Sequence, residues 1–198
     1  MKTDAIFTIA NIFTSLRILL APVFFYCLIE GSHLNTRIAI ALFIVAALTD
    51  YIDGVLARKF GEISAIGQFL DPLADKVLVL SAFLAFVFMG IIPMWIVVII
   101  ILRDVGTTLM RIIAESKGFD MKTSRSAKWK TAIQMMFISV ILAVIGIQRS
   151  PEIPAFAALA HEYLFSATTM TFALIVCVIT VWTLVEYCLD NSALFKRN

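Results

Sequence analysis

Long uncharged runs dominate the hydrophobic pattern of this chain. Residues 77–102, 131–148 and 163–185 carry no charge, and 5–16, 18–29 and 38–49 are shorter runs of the same kind. A helix crossing the hydrocarbon core of a bilayer takes ~20 mostly apolar residues. The first run is interrupted by Met89-Gly90-Ile91-Ile92-Pro93, which reads as a turn between two helices. The pattern predicts six helices, over 8–29, 35–58, 64–89, 93–115, 126–147 and 165–189. The runs are long and do not alternate, which disfavours a closed barrel. The fold class expected is all-α: a polytopic integral membrane protein of six transmembrane helices, in one domain over 1–198.

Composition agrees. Of 198 residues, 61% are hydrophobic and 15% charged, against ~45–50% and ~25% in soluble domains. So little charge cannot cover a small water-soluble globule, which excludes a conventional soluble enzyme, a disordered chain and a collagenous one. The net charge of +2 gives no reason to expect nucleic acid as a partner. Six spans put both termini on one side. Of the sixteen basic residues only Arg37 and Arg149 fall on the other side, and an excess of Lys and Arg marks the cytoplasmic face. The expected location is the cell's inner (plasma) membrane. The first apolar segment reads as a span and shows no cleavage site of a signal peptide. Cys27, Cys177 and Cys188 are expected as small buried hydrophobes, and Trp95, Trp129 and Trp182 as interfacial anchors.

The scarce acidic residues are concentrated in one place. Asp50 and Asp53 close the second helix, and Asp71 and Asp75 open the third. Helical residues three, four and seven apart share a face. Asp50, Asp53, Gly54, Ala57 and Arg58 therefore form one stripe, and Gly67, Asp71 and Asp75 another. Eight residues between Arg58 and Gly67 allow a tight turn, so the two helices are expected to be antiparallel neighbours with their four carboxylates facing. Like charges at ~4 Å cost a few kcal/mol per pair at intermediate dielectric, so a cation belongs among them. Hard divalent ions, Mg²⁺ or Mn²⁺, suit carboxylates, waters and phosphates. No His or Cys accompanies the acids, which argues against zinc. Pro72 either kinks a third helix that starts at Ser64 or sits in the first turn of one that starts at Asp71.

These residues resemble the signature of the CDP-alcohol phosphotransferase family: Asp50-x-x-Asp53-Gly54-x-x-Ala57-Arg58, eight residues, then Gly67-x-x-x-Asp71-x-x-x-Asp75. Every signature position is matched. Asn11-Ile12-Phe13-Thr14-Ser15-Leu16-Arg17-Ile18 resembles, in degraded form, the start of the bacterial branch whose acceptor is glycerol 3-phosphate; a Pro and the spacing depart from it. Lys128-Trp129-Lys130-Thr131-Ala132-Ile133-Gln134 and the pair Arg103 and Arg111 also resemble that branch. The resemblance implies that CDP-diacylglycerol gives its phosphatidyl group to an alcohol and releases CMP. It implies two divalent ions on Asp50, Asp53, Asp71 and Asp75, with Asp75 also the general base. It places Gly54, Ala57 and Arg58 on the cytidine and its phosphate, with Asp50 and Asp71 nearby. It also suggests a homodimer.

The acceptor has to be read from other residues. Arg103 and Arg111 lie two turns apart on the fourth helix, and Lys128 and Lys130 begin the fifth. An arginine inside an apolar span is a functional candidate by default. Together these four suit an acceptor that carries its own phosphate, with glycerol 3-phosphate the leading reading. Inositol phosphate, serine or phosphatidylglycerol are the alternatives within the same chemistry; a divalent-cation transporter is the alternative outside it. Asp104 is a candidate structural partner for a charge on a neighbouring helix. Lys117, Lys122 and Arg125 read as surface residues facing anionic lipid. Asn11, Thr14 and Arg17 are candidates for reaching the nucleotide, with interfacial snorkelling the competing reading for Arg17. Residues 149–163, with Arg149, Glu152 and His161, read as an outer loop without chemistry.

Overall fold

In the computed structural model the backbone is described over 9–60, 65–116 and 125–190, and side chains over 15–49, 76–110 and 129–190. These described residues form seven helices and no strand. They are α1 (Ile9–Glu30), α2 (His33–Phe60), α3 (Ala65–Phe88), α4 (Met94–Ser116), α5 (Arg125–Gln148), α6 (Pro154–Leu164) and α7 (Ala167–Asp190). Six of them lie within two residues of the helices that the apolar runs predict.

The seventh, α6, falls in the segment expected to be a loop. Pro151 and Pro154 both lie in that segment. Pro154, however, occupies the start of the helix, where its missing N–H would have had no helical partner. Ala160 and Leu164 then turn inward, and α6 packs on α5.

Two connections show how local sequence stops and restarts the chain. At the end of α3, Ile91 N–H donates to Phe86 O and Gly90 N–H to Val87 O, both at 2.9 Å. Gly90 adopts φ +74°. This is a Schellman close, which needs a left-handed residue that glycine supplies without strain. Phe86 and Ile91 are both buried beside it. Between α1 and α2, Gly31 takes φ +84°. Ser32 then caps α2, its Oγ accepting from Asn35 N–H at 3.2 Å.

α1 lies along both α2 and α3, α4 packs on α7, and α5 contacts α2, α3, α6 and α7. Lipid is as apolar as leucine, so helices in it associate through close packing. Ala21, Ala39, Ala46, Ala82 and Ala85 are fully buried, which lets α1, α2 and α3 approach closely. Phe83, Phe86 and Phe137 fill the space between α3 and α5, with Phe83 and Phe137 stacked at 6.0 Å between centroids. Such pairs contribute about 0.5–1.5 kcal/mol beyond the area they bury.

The exterior is apolar. Leu19, Tyr26, Phe88, Leu102, Trp129 and Trp182 are exposed. Among the described residues, Trp129–Gln148 and Ala167–Asp190 are long and apolar enough to cross a membrane, and His33–Thr49 and Lys76–Phe88 are shorter apolar helices. Cys27 and Cys177 are buried as expected; Cys188 is exposed, because it sits on the outward side of α7 between exposed Val185 and Leu189.

Candidate active site

The helix containing Asp50 and Asp53 runs unbroken to Phe60, and α3 begins at Ala65, ahead of Gly67, Asp71 and Asp75. Both stripes therefore lie on continuous helical backbone. Asp50, Asp53, Gly54, Ala57 and Arg58 share one face of α2 by helical register, and Gly67, Asp71 and Asp75 share one face of α3. The two helices touch, at the end of the bundle where α4 also finishes and α5 starts. Pro72 lies well inside α3, not in its first turn. The side chains of Asp50, Asp53, Gly54, Ala57, Arg58, Asp71 and Asp75 lie outside the described residues, as do those of Arg111, Lys128, Asn11 and Thr14.

A polar cluster adjoins this end, and its side chains are described. Arg103 on α4 and Lys130 on α5 are both buried. The Asp104 carboxylate brings them together: Oδ1 accepts from Lys130 Nζ at 2.5 Å and from Arg103 Nη1 at 3.2 Å. Arg103 Nη2 donates to Thr183 Oγ1 on α7 at 2.9 Å. One turn away, Gln134 Nε2 donates to Thr180 Oγ1 at 3.4 Å. Both threonines are themselves bonded to backbone carbonyls of α7. α3 joins through Lys76, the residue after Asp75, whose Nζ donates to the Asp104 carbonyl at 3.0 Å and also contacts Thr108 Oγ1.

Burying a charge is expensive unless it is paired and hydrogen-bonded. Two buried cations here share one carboxylate, so a positive charge is left over between them. Arg103 Nε is buried with no protein partner. A surplus cation and an unused N–H donor are what an incoming oxyanion would complete.

Of the four basic residues expected at an acceptor phosphate, the structure brings Arg103 and Lys130 together. It supplies the neighbour-helix partner anticipated for Asp104, namely Lys130. Arg17 is buried, at 2% exposure, so it does not snorkel to open water. Thr183, Thr180, Lys76 and Thr108 were not anticipated. Threonine in an apolar helix ordinarily satisfies its hydroxyl on the preceding turn, which hides a second role. The spacing of Thr180 and Thr183 on one face of α7 was the available signal.

The opposite end of the bundle has polar contacts of another kind. Arg149 Nη1 donates to Leu28 O at 2.8 Å and Thr36 Oγ1 at 3.0 Å, closing the end of α1 onto α2. Arg37 pairs with Glu152 at 2.6 Å, both side chains more than half exposed. Gln148 and His161 are in contact at 2.8 Å. Arg149, expected to be a loop residue, is a fastening between helices.

Comparison with known proteins fits this arrangement. A probable phosphatidylglycerophosphate synthase of Mycobacterium tuberculosis is 35% identical over 164 residues, covering 81% of this chain and 77% of that protein. The CDP-diacylglycerol–glycerol-3-phosphate 3-phosphatidyltransferase of Bacillus subtilis is 34% identical over 151 residues, 69% of this chain and 77% of the relative. A Haemophilus influenzae protein of the same name is 31% identical over 191 residues, 91% of each chain. The family profile of the CDP-alcohol phosphatidyltransferases matches residues 7–185. With its aspartate stripes on α2 and α3 lying inside that match, the chain belongs to the CDP-alcohol phosphatidyltransferase family.

Proposed function

We propose that this protein transfers the phosphatidyl group of CDP-diacylglycerol to glycerol 3-phosphate, giving phosphatidylglycerophosphate and CMP. The observation that carries the acceptor is the buried Arg103–Asp104–Lys130 cluster beside the aspartate end, with its surplus positive charge. A phosphorylated alcohol brings a phosphate dianion that such a place suits. The relatives' names point to the same acceptor.

Asp50, Asp53, Asp71 and Asp75 would hold two divalent cations, Mg²⁺ or Mn²⁺. Their donor set fits, because four carboxylates on two touching helices are hard oxygen ligands and would repel one another without a counter-ion. Bound there, the ions neutralise the pyrophosphate and the departing CMP. Gly54 and Ala57 leave room for the cytidine along α2, and Arg58 pairs with its phosphate. Arg103 and Lys130, joined by Arg111 and Lys128, hold the acceptor through its phosphate. That fixes its free hydroxyl toward α3. Asp75 takes the hydroxyl proton as the oxygen attacks the phosphatidyl phosphorus; the P–O bond to CMP breaks. A base so placed contributes about 10²–10⁴-fold. The lipid tails stay in the bilayer throughout.

In this reading six of the helices cross the inner membrane, and α6 lies at the outer end. The reaction faces the cytoplasm, and the protein works as a homodimer. The test is release of CMP by purified protein given CDP-diacylglycerol, glycerol 3-phosphate and Mg²⁺. CMP release that requires a different alcohol would overturn the acceptor; release undiminished by chelation of divalent ions would overturn the metal site.

A further inference from the structure

Asp104 carries a negative charge in the place where the proposed reaction must bind a negative substrate. As a direct ligand it would repel that substrate. Its contacts show what else it does. One carboxylate oxygen receives both Lys130 Nζ and Arg103 Nη1. The backbone carbonyl of the same residue receives Lys76 Nζ at 3.0 Å and Thr108 Oγ1 at 2.7 Å. Asp104 is thus the point at which α3, α4 and α5 meet through polar groups, and Arg103 adds α7 through Thr183.

We propose that Asp104 is a positioning residue: it holds the Lys130 ammonium and the Arg103 guanidinium in place for the acceptor's phosphate and does not touch substrate itself. The inference rests on the acceptor reading above. Two features favour it over a merely structural salt bridge. The pairing is unequal, two cations to one carboxylate, so the cluster keeps net positive charge after the bridge forms. The guanidinium is also only partly used: Nη1 and Nη2 are engaged, and Nε is buried without a protein partner. A bridge built for stability alone would pair its charges evenly and leave no buried donor unused. Lys and Arg side chains have many rotamers, and holding both beforehand removes an ordering cost that binding would otherwise carry.

The test compares wild type with Asp104→Asn, Asp104→Glu and Thr183→Val, all in the full chain, with each substrate titrated separately. Asp104→Asn should raise the KM for glycerol 3-phosphate about tenfold or more while the KM for CDP-diacylglycerol stays within about twofold, since only ground-state binding of the acceptor is lost. Asp104→Glu keeps the charge and misplaces it by one methylene, and should give about a threefold rise in the acceptor KM alone. Thr183→Val removes one of Arg103's bonds and should have a smaller effect than Asp104→Asn. Equal rises in both KM values, or no rise in either, would overturn the proposal. Should Asp104→Asn not fold, Asp104→Glu decides by the same split. The acceptor reading fails separately, if wild type releases CMP only with another alcohol. The KM of that alcohol is then the one titrated; a selective rise in Asp104→Asn would uphold the positioning role and its absence would refute it.

Discussion

The two ends of this bundle use the same functional groups to different effect. At the end opposite the aspartates, Arg37 and Glu152 form a 2.6 Å ion pair with 52% and 69% of their side chains exposed. At the aspartate end, Arg103 and Lys130 meet Asp104 with side-chain exposures of 10%, 4% and 15%. The exposed pair sits in high dielectric, gains little and loses little. The buried cluster is costly to assemble, and removing the shared carboxylate would strand both cations. Charge retained in a costly place points to a task beyond holding the fold together. The opposite end stabilises the fold instead through Arg149, whose bonds to Leu28 O and Thr36 need no carboxylate.

The sharpest break in this comparison is chemical. Asp75→Asn should lower CMP release by about 10²–10⁴-fold, with the unfolding temperature in detergent unchanged. Substantial turnover in that variant would remove Asp75 as the base. Next is Lys130→Ala, which removes the surplus charge and leaves Asp104 still paired with Arg103, and should destabilise the fold by only about 1 kcal/mol, the lost hydrogen bond, as well as weaken acceptor binding. Reversible denaturation in mixed micelles measures the first effect; acceptor titration measures the second. At the opposite end, Arg149→Gln should cost about 1–3 kcal/mol, because the Leu28 carbonyl loses its donor. Turnover at saturating substrate should not change. If Arg149→Gln instead abolished turnover, the two ends would not be as separate as their contacts suggest.

The smallest effect is expected from acid. The hydrogen bond and charge of Arg37 hold the Glu152 carboxyl below its ordinary range. Bonds from Ser32 and Asn35 hold Glu30 down as well. A carboxyl depressed in the folded state contributes stability above its unfolded pKa of about 4.3, and loses it as pH falls through the lower folded value. Both groups are exposed, so the loss should be slight. Unfolding temperature measured from pH 6 to pH 3 should decline less steeply for Glu152→Gln than for wild type. Identical slopes would show that the pair does nothing for stability.

The helices were legible because uncharged runs of span length have few other uses. The turn at Gly90 was legible for the same reason, since Gly and Pro together interrupt a run that is otherwise continuous. α6 was not: it is eleven residues long, and its starting proline reads equally well as a loop marker. The aspartates were found by spacing alone, and their helical backbone agrees. The acceptor cluster was half legible. Arg103 and Lys130 stand out as charges in apolar sequence, but their meeting at Asp104 depends on how α4 packs against α5. Local sequence carries no record of that crossing. Thr183 and Thr180 offered only their shared face of α7 as a signal, because a helical threonine looks the same whether or not its hydroxyl also serves a neighbour.

The three tryptophans have a practical consequence. Trp95 is the second residue of α4, at the end away from the aspartates, whereas Trp129 is the fifth residue of α5 and Trp182 lies in the second half of α7, toward the aspartates. All three indoles are displayed on the outside, at 48%, 70% and 69% exposure. Replacing two at a time with phenylalanine would leave a single tryptophan, excited apart from the four tyrosines at the red edge, at one end or the other. Quenchers confined to one leaflet, or to a chosen depth in it, would then extinguish the emission of one variant and spare the other. The chain carries its own gauge of which way up it sits and how far in.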